Sequence, residues 1–136
     1  MRDALFVQKD FVMHSGGTAH YKIEADALTD EDIETLAWII ANKGKFKRVV
    51  GVPRGGIRLA IALQKYVSTE GPTLIVDDIL STGQSMEEAK AKIGDPTAIG
   101  VVIFARNRCP NWVRPIFEMT FFNVQDTWTN EQAAND

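Results

Sequence analysis

The chain has 136 residues, of which 45% are apolar and 24% charged, a balance that suits one globular domain spanning 1–136. Its formal charge of −3 argues against nonspecific binding to nucleic acid or to an anionic membrane, neither of which attracts a net acidic surface. The single cysteine, Cys109, excludes an intrachain disulfide, and no segment reaches the ~18 apolar residues of a membrane span. The opening "MRDALFVQKD" has no signal-peptide apolar core, so the expected location is cytoplasmic.

In chain order, "FVMHSGGTAHYKIEA" predicts two short strands around the turn His14-Ser15-Gly16-Gly17, a small hairpin within residues 5–25. "LTDEDIETLAWIIANKG" predicts a helix capped by Thr29, with Asp30, Glu31 and Asp32 in its positive first turn and Gly44 ending it. Ile33, Leu36, Ala37 and Ile40 recur on one face of it. "KFKRVVGV" reads as a strand, Pro53-Arg54-Gly55-Gly56 as a loop, and "IRLAIALQKY" as a helix. "TLIVDD", "ILSTG" and "QSMEEAKAKIG" repeat that scheme, with the strand ending on Asp77 and Asp78 and the helix starting near Gln84 or Ser85. "TAIGVVIFA" is apolar enough to be buried on both sides, "RPIFEMTFFNV" reads as a fourth strand, and 129–136 is a polar tail. Strands alternating with helices predict a parallel, Rossmann-like α/β sheet with helices on both faces. Ligands of such sheets sit at the carboxyl ends of the strands, which is where "PRGG" and "DDILSTG" fall.

The second loop has the makings of a ligand cradle. A helix that begins near Gln84 offers unpaired amides and a positive dipole end, matched to a phosphate. Ser81, Thr82 and Ser85 add hydroxyls, and Gly83 permits close backbone approach. Asp77 and Asp78 would repel a phosphate, so they suit vicinal hydroxyls or a magnesium ion. A ligand with a phosphate at one end and a diol at the other is a phosphorylated sugar. Read blandly, the same residues are a strand-to-helix turn with a good N-cap. There is no GxxxxGK[ST], and "GVPRGG" lacks the GxGxxG spacing of a dinucleotide site.

"LIVDDILSTG" resembles the phosphoribosyl diphosphate (PRPP) signature of type I phosphoribosyltransferases, and "VVGVPRGGIRLA" resembles that family's diphosphate-binding loop. The resemblance implies that Asp77 and Asp78 hold the ribose hydroxyls. It implies that Ser81, Thr82, Gly83, Gln84 and Ser85 cradle the 5-phosphate, and that Arg54, Gly55 and Gly56 face the diphosphate. Mg2+ would be shared between diphosphate, hydroxyls and Asp78. It implies an enzyme that joins PRPP to a nucleobase, with Asp77, Asp78 and Arg54 acting at the reacting sugar, and a homodimer as the usual assembly.

For the base, the two ends of the chain differ. "FVMHSGGTAHYKIEADALTDED" resembles the N-terminal hood of orotate phosphoribosyltransferases. "VVIFARNR" with "FFNVQDTW" resembles bacterial xanthine-guanine phosphoribosyltransferase, which makes Arg106 and Trp128 the implied base-binding residues and puts a 6-oxopurine slightly ahead of orotate. A cation polarises a ring carbonyl and an aromatic face covers a planar base. Two departures stand out. Ser81 occupies the position where guanine- and xanthine-using enzymes carry an Asp, and only "VSTEGP" separates the helix "IRLAIALQKY" from "TLIVDD", where the family has a further strand and a mobile lid. The second departure leaves an alternative open: a lid-less protein that binds PRPP or a nucleotide and regulates a partner.

Overall fold

The computed structural model describes residues 4–12 and 18–119. Nine elements follow in order: β1 (Phe6–Val12), β2 (Thr18–Ile23), α1 (Asp30–Ala41), β3 (Arg48–Gly51), α2 (Ile57–Leu63), β4 (Thr73–Leu80), α3 (Gln84–Ile93), β5 (Ile99–Ala105) and β6 (Val113–Glu118). β1 and β2 form an antiparallel hairpin; the other four strands form a parallel sheet in the order β3-β4-β5-β6.

Helix α1 starts where its charges and cap predict. The Asp32 amide donates to Thr29 Oγ1 (3.1 Å) and the Thr29 amide donates to Asp32 Oδ2 (2.8 Å), a capping box closed by aspartate. Ile33, Leu36, Ala37 and Ile40 are its buried residues. They share one core with Leu59, Ala62 and Leu63 of α2, with Leu74 and Val76 of β4, and with Ile23 from the hairpin. On the opposite face Met86 of α3 packs with Ile75, Val102, Ala105 and Val113. The sheet therefore carries α1 and α2 on one side and α3 on the other.

β4 is the most enclosed strand: Leu74, Ile75 and Val76 are fully buried, each burial stabilising the fold by roughly 1.5–3 kcal/mol. It does not end at the aspartates. It continues through Asp77 and Asp78 to Leu80, because Ile79 and Leu80 still pair with Phe104 and Ala105 of β5. The pleat slips there. Leu74 and Val76 lie in the α1/α2 core and Ile75 in the α3 core, yet Ile79 packs on the α1/α2 side and Leu80 on the α3 side. Strict alternation would give the reverse.

The link from β5 to β6 is also unexpected. Parallel neighbours ordinarily need a dozen or more residues, most often a helix. Here residues 106–112 return from Ala105 to Val113, which pairs with Gly100, without any helix. The return covers about 17 Å along the strand axis, within reach of so short a chain. This strap runs on the α3 side: Cys109 and Trp112 pack against that core, and Trp112 Nε1 donates to Glu87 Oε1 of α3 (2.8 Å). At the other edge, residues 67–72 alone join the 3-10 turn Gln64–Tyr66 to β4. Among the described residues no helix is long and apolar enough to cross a membrane.

The capping box gives a direct test of how α1 is held. Thr29→Ala should lower stability by about 1 kcal/mol in urea unfolding with an unchanged m-value.

Candidate functional site

The carboxyl edge of the sheet holds an open cavity of about 610 Å³. Its floor is Asp77, Ile79 and Leu80 of β4, one wall is the turn 81–85 with the start of α3, and the other is the hairpin, through Phe11, Val12, Lys22 and Ile23. Arg106, the first residue of the strap, closes the end between turn and hairpin.

The turn is shaped by Gly83, which adopts a left-handed conformation (φ 88°) at the N-cap of α3. A side chain at that φ would be strained, so glycine is required by the backbone itself. Thr82 Oγ1 accepts the Gln84 amide (3.2 Å), and the Glu87 amide returns to the Gly83 carbonyl (3.0 Å). The intervening first-turn amides have no partner within the helix and carry its positive dipole end. Ser85 and Thr82 are exposed beside them. Amides, hydroxyls and dipole together are chemically suited to an anion.

Asp77 and Asp78 lie next to this turn in a different environment. Asp77 is 7% exposed, and its Oδ1 accepts the Asp78 amide (2.8 Å). Asp78 Oδ1 accepts the Ile79 amide (2.7 Å). Burial, then a hydrogen bond to Asp78 and the repulsion of its charge, push the Asp77 carboxyl up from 3.8 to about 8; the Asp78 amide opposes the shift. At neutral pH this carboxyl is held protonated.

The "PRGG" loop meets the pair directly. A Cβ built on Gly55 would overlap the Asp78 carboxylate, and one on Gly56 would overlap the Val76 carbonyl. The loop is drawn in by the Gly56 amide donating to the Val52 carbonyl (2.8 Å) and the Val52 amide donating to the Val76 carbonyl (2.9 Å). The Pro53–Arg54 peptide bond is cis. Arg54 is exposed and pairs with no acid among the described residues.

Of the residues expected from sequence, Asp77, 81–85 and Arg106 line the cavity. Asp78 and Gly55 meet beside it, while Arg54 and Gly56 belong to the adjoining loop. Trp128 lies outside the described residues. Arg106 is already engaged: its Nη2 donates to the Tyr21 carbonyl (2.6 Å), and its guanidinium lies 4.2 Å from the Tyr21 ring and 5.7 Å from that of Phe11. The hairpin's Phe11 and Lys22 were not legible as lining residues; a chemically plain strand gives no local signal of what it covers.

Among the described residues no group of three or more His, Cys, Asp or Glu could hold a metal ion. Two adjacent carboxylates with hard oxygen donors do suit Mg2+, which is commonly held by one or two carboxylates together with substrate oxygens and water.

No protein-family model matches the chain, and no curated protein matches it by sequence. Solved structures do match. Orotate phosphoribosyltransferase from Aeropyrum pernix superposes with a TM-score of 0.66 at 15% identity, covering 94% of this chain and 93% of that one. UMP synthase from Leishmania donovani gives 0.67 at 15% identity over 96% of this chain but only 36% of its own. Orotate phosphoribosyltransferase from Mycobacterium tuberculosis, in complex with inorganic phosphate, gives 0.58 at 15% identity over 83% and 88%. The parallel sheet with its helices and the antiparallel hairpin beside it are thus those of the type I phosphoribosyltransferase fold.

Proposed function

We propose that this protein transfers the 5-phosphoribosyl group of PRPP to a nucleobase, releasing diphosphate. The observation that carries the reading is one cavity with Asp77 on its floor, Asp78 beside it, and a turn of free amides and hydroxyls in its wall. That pairing of groups suits a sugar that is a diol on one side and a phosphate ester on the other. The 5-phosphate would take the amides and hydroxyls of 81–85, and the ribose hydroxyls would donate to Asp77 and Asp78. The diphosphate would lie toward Gly55 and Arg54, whose unpaired guanidinium is free to neutralise it. Asp78 would hold Mg2+, which when bound adds charge neutralisation at the leaving group.

In the reaction the C1–O bond to diphosphate breaks, positive charge develops on the ribose ring, and a base nitrogen forms the new bond at C1. The protein's help is positional and electrostatic, and no covalent nucleophile is needed. The base would sit under the hairpin. Lys22 lines the cavity, ion-paired with Glu24 (3.2 Å), and Arg106, though seated on the hairpin, adds a second positive charge to the lining, so the field there favours a base that is anionic or rich in ring carbonyls. That supports orotate, for which the Aeropyrum and Mycobacterium neighbours are named, over a 6-oxopurine. The 6-oxopurine reading leans on Trp128 and lacks a carboxylate at Ser81.

One observation favours a second reading. With only residues 67–72 between α2's turn and β4, this chain has no segment there to close over the ligand, and water exclusion by a lid is what protects such a reaction. A PRPP- or nucleotide-binding regulator would need no closure. Incubation with PRPP, Mg2+ and each of orotate, uracil, guanine, xanthine, hypoxanthine and adenine separates the two. The enzyme forms nucleotide, orotate giving the highest kcat/KM, whereas a regulator binds PRPP and turns over no base.

Two expectations follow for the acidic pair. Asp77→Asn with Asp78→Asn should abolish PRPP binding in calorimetry while leaving the circular dichroism unchanged; retained affinity would remove the diol assignment. The folded protein also holds the Asp77 proton to higher pH than the unfolded chain does, so its contribution to stability is present at low pH and lost as pH rises from about 4 through about 8. Asp77→Asn should therefore raise Tm over the wild type by an amount that grows across that window, and a constant difference would contradict the buried, protonated carboxyl.

A further inference from the structure

Two adjacent residues at the top of the strap, Arg106 and Asn107, each hold a different wall of the cavity. The Arg106 amide first continues the sheet, donating to the Leu80 carbonyl (2.8 Å). Its side chain then crosses to the hairpin, bonding the Tyr21 carbonyl (2.6 Å) and lying against rings from both strands, Tyr21 of β2 and Phe11 of β1. Asn107 turns the other way, its Nδ2 donating to the Ser81 carbonyl at the entrance of the phosphate turn. Pro110, three residues on, lies 3.6 Å from where a Cβ on Gly83 would stand, so the strap also backs the turn's left-handed glycine.

The hairpin is built to receive this grip. Phe6 pairs with Ile23 and Gln8 with Tyr21, after which the register shifts and Phe11 pairs with Ala19. Directly paired residues share a face, and residues two apart on β2 share it too. Phe11 therefore joins Tyr21 on the inner face, although a regular strand would turn it away from Gln8. One extra residue on β1 delivers the second ring to Arg106.

We propose that Arg106 and Asn107 form a two-sided latch, Arg106 fixing the hairpin and Asn107 the phosphate turn, and that Arg106 is a positioning residue rather than a contact to the base. Its catalytic consequence rests on the phosphoribosyltransferase reading; the latch itself does not. A planar guanidinium can stack and donate along its edge together, and an ammonium on a flexible stem cannot. A cation that merely polarised a ring carbonyl would tolerate lysine.

Hydrogen exchange on the ligand-free full chain, followed by kinetics, tests this. Arg106→Ala should speed exchange of the β1 and β2 amides about tenfold or more, since it removes a charged hydrogen bond and two ring contacts. Arg106→Lys should behave like the alanine variant, and both should raise KM for the base while leaving KM for PRPP within about twofold. Asn107→Ala should leave hairpin exchange unchanged and weaken binding of inorganic phosphate. Wild-type hairpin exchange in Arg106→Ala would overturn the proposal, as would full recovery of base KM by Arg106→Lys. The exchange measurement needs no substrate, so it decides the latch even in a protein that turns over no base, and the lysine variant decides it should the alanine variant not fold.

Discussion

A carboxyl group that water barely reaches governs this site. Asp77 stands on the most enclosed strand of the sheet, and its burial is the direct result of β4 running on past the acidic pair to Leu80. Had the strand stopped at Val76, both aspartates would project into a solvated loop and behave as ordinary surface acids. Instead the sheet pairing continues on either side of them, the main chain takes one oxygen from each, and Gly55 closes over Asp78. A second charge beside Asp78 would be costly there, and Asp77 avoids it by keeping its proton.

Much of this could be read from residues alone, and the parts that could not share a cause. Helix α1 was legible at its start and along its face because each signal was local: Thr29 and Asp32 three positions apart, Ile33 to Ile40 on one turn-spaced face. Its end was not, since it stops at Ala41, short of Gly44. The two loops were legible because glycine, hydroxyl and acid side chains mark strand-to-helix turns wherever they stand. The slip of the pleat at Asp77 and Asp78 was not, since it depends on what flanks β4 on each side rather than on β4 itself. Nor was the helix-free return from β5 to β6: "RNRCPNW" has no periodicity to reveal that it lies across α3. Arg106 was located correctly at the cavity, but its partners come from residues some eighty-five positions earlier.

The shortened connections at the two edges of the sheet act in opposite senses. Residues 67–72 are too few to fold over the cavity from beside β3. The strap at residues 106–112 is equally brief, yet it reaches from the cavity rim down to Trp112 and Glu87, tying turn, hairpin and α3 into one unit. The brevity that leaves one edge short of chain ties the other to both walls of the cavity.

The register shift in β1 shows how little composition has to do with such a unit. Phe6 and Phe11 are five positions apart, an odd number, and would ordinarily look in opposite directions. The single surplus residue between Gln8 and Phe11 makes the count even and brings both rings inward. Removing either Lys9 or Asp10 would leave the rings four positions apart, an even count that a regular strand satisfies, so both could keep their face with the bulge gone. What this segment keeps, then, is a parity: an odd tally between the rings demands a bulge, and an even one forbids it.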